Sequence, residues 1–191
     1  MARIPYPQAP ESPRLQWLFA GMPPINLLRM ERWAEGIVES IVRLSDAVLN
    51  RSEVDDTLRQ IAFLRLCTCI GAEYEFHLLA KVSRTKGLSE TLIAAAAEGS
   101  SSPGLSEGQQ MSARLAEELA VQTRASEEVF EYLRARLPPR HLVELVIGIG
   151  FYLMQSRVIG TFDIEKEDVE FALGSSREPS PGLQAWREGR L

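Results

Sequence analysis

LRQIAFLRLCTCIGAEYEFHLLAKVSRTKGLS, residues 58–89, decides the fold. Apolar residues recur at helical spacing on both sides of Gly71, and the pattern stops at Gly87-Leu88-Ser89. The stretch therefore predicts two helices joined by a glycine turn. On the wheel of the second helix, Glu73, His77, Lys81 and Arg84 form one narrow stripe. Ala72, Glu75, Leu78, Leu79 and Val82 fall on the opposite side. Glu73 and His77 are then an (i, i+4) pair supporting a solvated face. Glu75 is different, because it is the one charge in the middle of an apolar face. A carboxylate there must be paired, or protonated with a raised pKa, or exposed in a pocket. Two uses remain open for it: a functional site, or a subunit contact or pairing with a structural arginine. On the first helix Gln60 shares a face with Phe63, Leu64 and Cys67, either as a site residue or as a cap on a neighbouring backbone group. Arg59 and Arg65 flank it and could hold a substrate carboxylate.

Helical patterning extends outward from this pair. Residues 1–13 carry four prolines and predict an extended arm. Residues 26–49 predict one long helix, and Ser52-Glu-Val-Asp55 reads as a capping box opening the helix that ends near Cys69. A short helix starts at Ser89, residues 98–108 form a loop, and helices follow over about 106–123 and 126–136. Pro138-Pro139 opens the most apolar helix, RHLVELVIGIGFYLMQSRVIG, which is apolar around nearly its whole circumference and should lie centrally. Gly148 and Gly150 would let another helix approach it closely, or bend it. Tyr152 places a hydroxyl among its apolar residues, as a site group or a core aromatic. His141, in its first turn, is expected at the surface. Residues 164–173 could add a last turn, and 174–191 read as a mobile tail in which Trp186 could anchor. Strand signals are essentially absent. The expectation is a single all-α domain over residues 14–173.

Composition narrows the functional classes. A formal charge of −5, with no dense basic segment, argues against nucleic acid or an anionic membrane as partner. The N-terminus has no apolar signal-peptide core, and the longest apolar run, 142–154, is too short to span a bilayer and contains Glu144. A cytoplasmic protein is expected. Cys67 and Cys69 are too close to staple a fold and lack the second pair a zinc site needs, so both are expected as small buried core residues. No metal centre is expected.

The stretch quoted first resembles the core of the carboxymuconolactone decarboxylase family, which includes the alkylhydroperoxidase D-like (AhpD-like) proteins. That family has a Leu-Arg-Glu…Leu-Arg segment, then Gly-Cys-Glu-Tyr-Glu-Trp and Gly-Leu-Ser. The segment LPPRHLVELVIGIGFYLMQSRVIG continues the likeness, which covers most of residues 14–165. The resemblance implies an all-α, AhpD-like helical domain that assembles as a homotrimer or homohexamer. Redox relatives carry a glutamate, two cysteines three apart and a histidine, and these positions fall on Gln60, Ala72, Glu75 and Leu79. All four redox groups are therefore missing, and thiol peroxidase chemistry is not expected.

The decarboxylase side of the family uses no cofactor, and none is expected here. The resemblance implies a cofactor-independent lyase or isomerase acting on a small carbonyl- or lactone-containing metabolite. Glu75 would be its acid/base, with Tyr74 and Gln60 as further catalytic groups. Arg65, His77, Leu79, Tyr152 and Arg157 would bound the substrate. The alternative is a non-catalytic oligomeric protein of the same fold that binds a ligand or partner.

Overall fold

The computed structural model describes residues 1–8, 12–20, 25–167 and 181–189. Ten α-helices and no strand occur among them: α1 (Pro13–Phe19), α2 (Asn26–Glu31), α3 (Glu35–Asp46), α4 (Asp56–Cys69), α5 (Glu73–Thr85), α6 (Glu90–Glu98), α7 (Glu107–Val121), α8 (Glu127–Arg134), α9 (Pro139–Phe162) and α10 (Pro181–Arg187). The sequence writes most of these boundaries. Ser12, Asp55, Ser89 and Ser126 each accept an N–H from the first turn of the helix they precede. Ser106 and Gln109 close a reciprocal capping box, and prolines open α1 and α9. Gly71, at φ +68°, makes the turn between α4 and α5.

Helix α4 is the hub, packed on α5, α6, α7 and α9 around Ile61, Phe63, Leu64 and Leu66. Gly148 is where α9 meets it. A Cβ on that glycine would stand 2.5 Å from Phe63 Cζ, whereas one on Gly150 would meet nothing within 4 Å. By length and composition α9 could cross a membrane, but so could the core helix of a water-soluble domain, and Leu145, Ile149, Phe151 and Tyr152 are packed inside. Its outer face leaves Val143, Val146, Ile147 and Met154 exposed. A second, smaller core joins α1 and α3 through Leu15, Leu18, Val38 and Val42.

Five details differ from the sequence expectations. The helix expected over 26–49 is interrupted by a 3-10 turn at Arg32–Ala34 and ends in a π turn at Ala47–Arg51. At the interruption Trp33 turns outward, and its indole N–H donates to the Pro5 carbonyl at 2.8 Å. Helix α4 starts at Asp55 rather than Ser52, because the Ser52 hydroxyl is engaged by Glu144 at 2.9 Å while Asp55 takes the Leu58 N–H. Cys69 is exposed, because it follows Thr68 onto the open side of α4, and Cys67 alone is buried. The described part of the tail is docked rather than mobile: Arg187 pairs with the buried Asp46, and Trp186 lies against Arg43 and Arg51. Residues 164–167 are not helical, and 168–173 lie outside the described residues. The arm, residues 1–8, runs without helix along the end of α9, with Arg3 on Asp163 and Tyr6 on Glu165.

Candidate functional site

Glu75 sits in the first turn of α5, where the helix dipole favours an anion. Burial opposes this and prevails. The side chain is 3% exposed, and its carboxyl is pushed from 4.5 up to about 8, mainly by loss of water. Its polar partner is the Ser156 hydroxyl of α9. Ser156 Oγ is also 2.9 Å from the Tyr152 carbonyl one turn back. A hydroxyl has one proton and that carbonyl can only accept. Both contacts are satisfied together when Glu75 is protonated and donates to Ser156, which in turn donates to Tyr152.

A cavity of about 120 Å³ lies beside Glu75, where α2, α3, α5 and α9 meet. Leu79, Tyr152, Gln155, Phe151, Leu28 and Val42 are among its walls, and no cation lines it among the described residues. Burial and the nearby Glu75 both hold the Tyr152 phenol well above its ordinary range. Ser156 also borders an open groove of about 690 Å³ whose rim includes Tyr74, Arg157 and Lys166. The Glu75–Ser156 hydrogen bond thus stands between an apolar cavity and a more polar groove.

A second carboxyl stands close by. Glu31, the last residue of α2, is 5% exposed, and neither of its oxygens has a hydrogen-bond partner. Burial pushes it from 4.5 up to about 7. The Gln155 amide lies near enough to favour its charged form without reaching hydrogen-bond geometry. The negative charge of Glu31 in turn helps raise Glu75.

The residues singled out from the sequence divide into two groups. Glu75, Leu79 and Tyr152 come together on the cavity wall. The others lie elsewhere. Gln60 is fully buried between α4 and α5, accepting from Ser83 at 3.0 Å. The Tyr74 hydroxyl accepts the Leu27 N–H at 3.2 Å and donates to Glu167, tying α2 to the segment after α9. Arg65 is held by Glu117 at 2.7 Å and the Ala97 carbonyl at 3.0 Å. Arg157 is exposed and donates to the Leu153 carbonyl, and exposed His77 borders a separate groove with Cys67 and Arg84. Neither arginine lines the cavity: Arg65 belongs to α4, which contributes no residue to the wall, and Arg157 points away from it on α9. His141 is half-buried, 3.8 Å from Glu53.

Glu31, Gln155 and Ser156 were not singled out by the sequence reading. Glu31 follows Leu27 by four residues and Leu28 by three, and Gln155 follows Phe151 and Tyr152 in the same way. Each interrupts an apolar helical stripe with a polar group, the same signal that marks Glu75.

No family model matches the chain, and no curated protein is significantly similar to it. Among solved structures, it is similar to an Agrobacterium tumefaciens protein of unknown function described as a putative antioxidant defence protein AhpD. The TM-score is 0.66 at 20% identity, covering 73% of this chain and 96% of that one. At that identity the likeness speaks to the fold alone. The chain is an all-α protein with the AhpD-like fold.

Proposed function

We propose that the protein is a cofactor-independent proton-transfer enzyme, a lyase or isomerase of a small carbonyl- or lactone-containing compound, with Glu75 as the acid/base. One observation carries this reading: Glu75 is the carboxyl group on the wall of an apolar cavity, and burial raises it to about 8, close to working pH. As a carboxylate it would take a proton from the carbon beside the carbonyl while the electron pair moves onto the carbonyl oxygen. As a carboxylic acid it would return a proton to carbon. The Tyr152 phenol, which keeps its proton, supports the enolate oxygen. Among the described residues no arginine or lysine lines the cavity, so a substrate carboxylate would have no counter-ion from them. That favours isomerisation or elimination over decarboxylation of an acid.

Thiol peroxidase chemistry is not part of the proposal. The buried Cys67 thiol is held well above its ordinary pKa by desolvation and by Glu75, the opposite of what a reactive thiolate requires. The alternative, a non-catalytic oligomeric protein that binds a ligand or partner, calls for Glu75 to be salt-bridged between subunits with no cavity beside it. Glu75 instead has a hydroxyl partner and a cavity.

The test is deuterium incorporation from heavy water into cyclopentanone and γ-butyrolactone, followed by NMR. General acid–base catalysis contributes about 100-fold or more, so Glu75→Gln should lower protein-catalysed exchange by about that factor. Exchange that is absent in the wild type, or unchanged in Glu75→Gln, rejects the reading.

A further inference from the structure

We propose that the ligand of this cavity is a small amine: a five- or six-atom apolar body carrying a protonated nitrogen that docks at Gln155 and Glu75, in the field of Glu31. The inference rests on the cavity being the substrate site and names the chemistry of what enters it.

Three buried acceptor atoms have no donor: both carboxyl oxygens of Glu31 and the amide oxygen of Gln155. Leaving a buried polar atom unpaired costs about 1–3 kcal/mol, so a donor belongs there. Gln155 is 4% exposed and is itself part of the cavity wall. A plain ketone or lactone brings only further acceptors and leaves these atoms bare. Of the three, the Gln155 oxygen belongs to a residue of the cavity wall, and an N–H or O–H group on the ligand would satisfy it; Glu31 stands behind the wall and acts through its charge.

The field selects among donors. The charge of Glu31 on α2 helps raise Glu75 on α5, and no cation lines the wall among the described residues. Arg59, buried on α4 near Tyr152, is already held by Asp56 and the Leu49 carbonyl. Such a site attracts a cation and repels an anion. A metal ion is the weaker candidate, because no group of three or more His, Cys, Asp or Glu side chains occurs among the described residues. The rest of the chamber is Ile25, Leu27, Ile41, Leu49 and Phe151, which suits an apolar body rather than a hydrated ion. A cavity of about 150 Å³ accepts benzene, so the 120 Å³ here fits a ring of five carbons or a chain of similar volume. The substrate class under this inference is a small amino ketone or amino lactone.

The probes are cyclopentylamine, its isostere cyclopentanol, and magnesium ion, each titrated calorimetrically into the full chain. The groups around the two carboxyls are Gln155, Ser156 and Tyr152 of α9 and Cys67 of α4. Of these, only Glu31 and Glu75 themselves change charge near neutrality. Docking an ammonium ion expels a proton from the pair, so affinity should rise towards about tenfold per unit between about pH 5.5 and 7.5. Cyclopentylamine should bind about tenfold or more tighter than cyclopentanol. Glu31→Gln should remove most of that preference. Gln155→Met, which keeps the volume and loses the acceptor, should weaken amine binding without weakening the alcohol. Urea midpoints at about pH 6 control for folding. Equal binding of amine and alcohol, a pH-independent affinity, or binding of magnesium in place of amine overturns the inference. The two proposals fail separately. Amine selectivity without deuterium exchange removes the reaction alone, and exchange into cyclopentanone without amine selectivity removes this inference alone.

Discussion

The Ser156 hydroxyl on α9 is hydrogen-bonded to the Glu75 carboxyl on α5, and that bond stands between an apolar cavity and a more polar groove. Replacing Ser156 by alanine removes a partner from both forms of the carboxyl: the acceptor used by the acid and the donor used by the carboxylate. The charged form loses more, because hydrogen bonds to ions are the stronger ones. Ser156→Ala should therefore raise the Glu75 pKa further above about 8 and cost about 1–3 kcal/mol of stability. Carboxyl-detected NMR titration reads the first and urea unfolding the second. A pKa that falls in the variant contradicts the hydrogen-bond assignment.

The same burial makes the fold acid-tolerant. In the unfolded chain Glu31 and Glu75 titrate near 4.5, and in the folded chain near about 7 and about 8. The folded state therefore holds more protons in this window, and unfolding free energy falls as pH rises. The loss begins near 4.5 and is complete above about 7 for Glu31 and about 8 for Glu75. At about 1.4 kcal/mol per tenfold change in proton affinity, the two shifts set an upper bound of about 8 kcal/mol for the pair. Glu75→Gln should match the wild type at about pH 5 and exceed it at about pH 9. Parallel urea midpoints for both proteins across that range would refute the raised pKa.

Catalysis should follow the opposite limb. Proton abstraction from carbon needs the carboxylate, so deuterium exchange into cyclopentanone should increase with pH and level off above about 8. Glu31→Gln removes a neighbouring negative charge, so the midpoint of this profile should move down while exchange persists. A profile centred near the ordinary carboxylate range would assign the base to another residue.

Much of the fold was legible because helices announce themselves locally. The serine and aspartate caps, the Gly71 turn and the all-round apolar α9 are written within a few residues of where they act. The broken helix at Arg32–Ala34 was not, because it depends on an arm residue, Pro5, that meets Trp33 only in three dimensions. The site divides in the same way. Glu75 is visible as a charge on an apolar stripe. That Ser156 and Gln155 complete its surroundings depends on how α9 lies across α5, which no local pattern states. Gln60 and Arg65 carry the same local signal as a site residue, yet the fold engages them with Ser83 and Glu117.

The docked tail makes a separate, structural claim. Asp46 is nearly fully buried, and Arg187 supplies its charge partner, with Asn50 adding one hydrogen bond at 2.9 Å. Arg187→Ala strands a buried carboxylate. Because Arg187 itself is about one-third exposed, the loss should be about 1–2 kcal/mol rather than the larger figure for a fully buried pair. Asp46→Asn with Arg187→Ala should recover part of it, since the uncompensated charge is gone. A double variant no more stable than Arg187→Ala would show that α10 contributes through Trp186 packing alone.

Close packing at the α4–α9 crossing gives the sharpest contrast in the chain. A methyl group on Gly148 would overlap the Phe63 ring, which is fully buried and itself packed, tilted, with its centroid 4.6 Å from that of Tyr152. Phe63 cannot retreat without disturbing the tyrosine on the cavity wall. Gly148→Ala should therefore cost about 1–3 kcal/mol by overpacking, and it should weaken cyclopentylamine binding as well. Two residues along the same helix, Gly150 has open space around its would-be Cβ and helical backbone. There the alanine removes the conformational freedom of glycine from the unfolded chain and should stabilise by about 0.5–1 kcal/mol. Urea unfolding of the two variants side by side decides the matter. Opposite shifts of about these sizes support the crossing at Gly148, whereas two similar shifts would place the contact between α4 and α9 elsewhere on the helix.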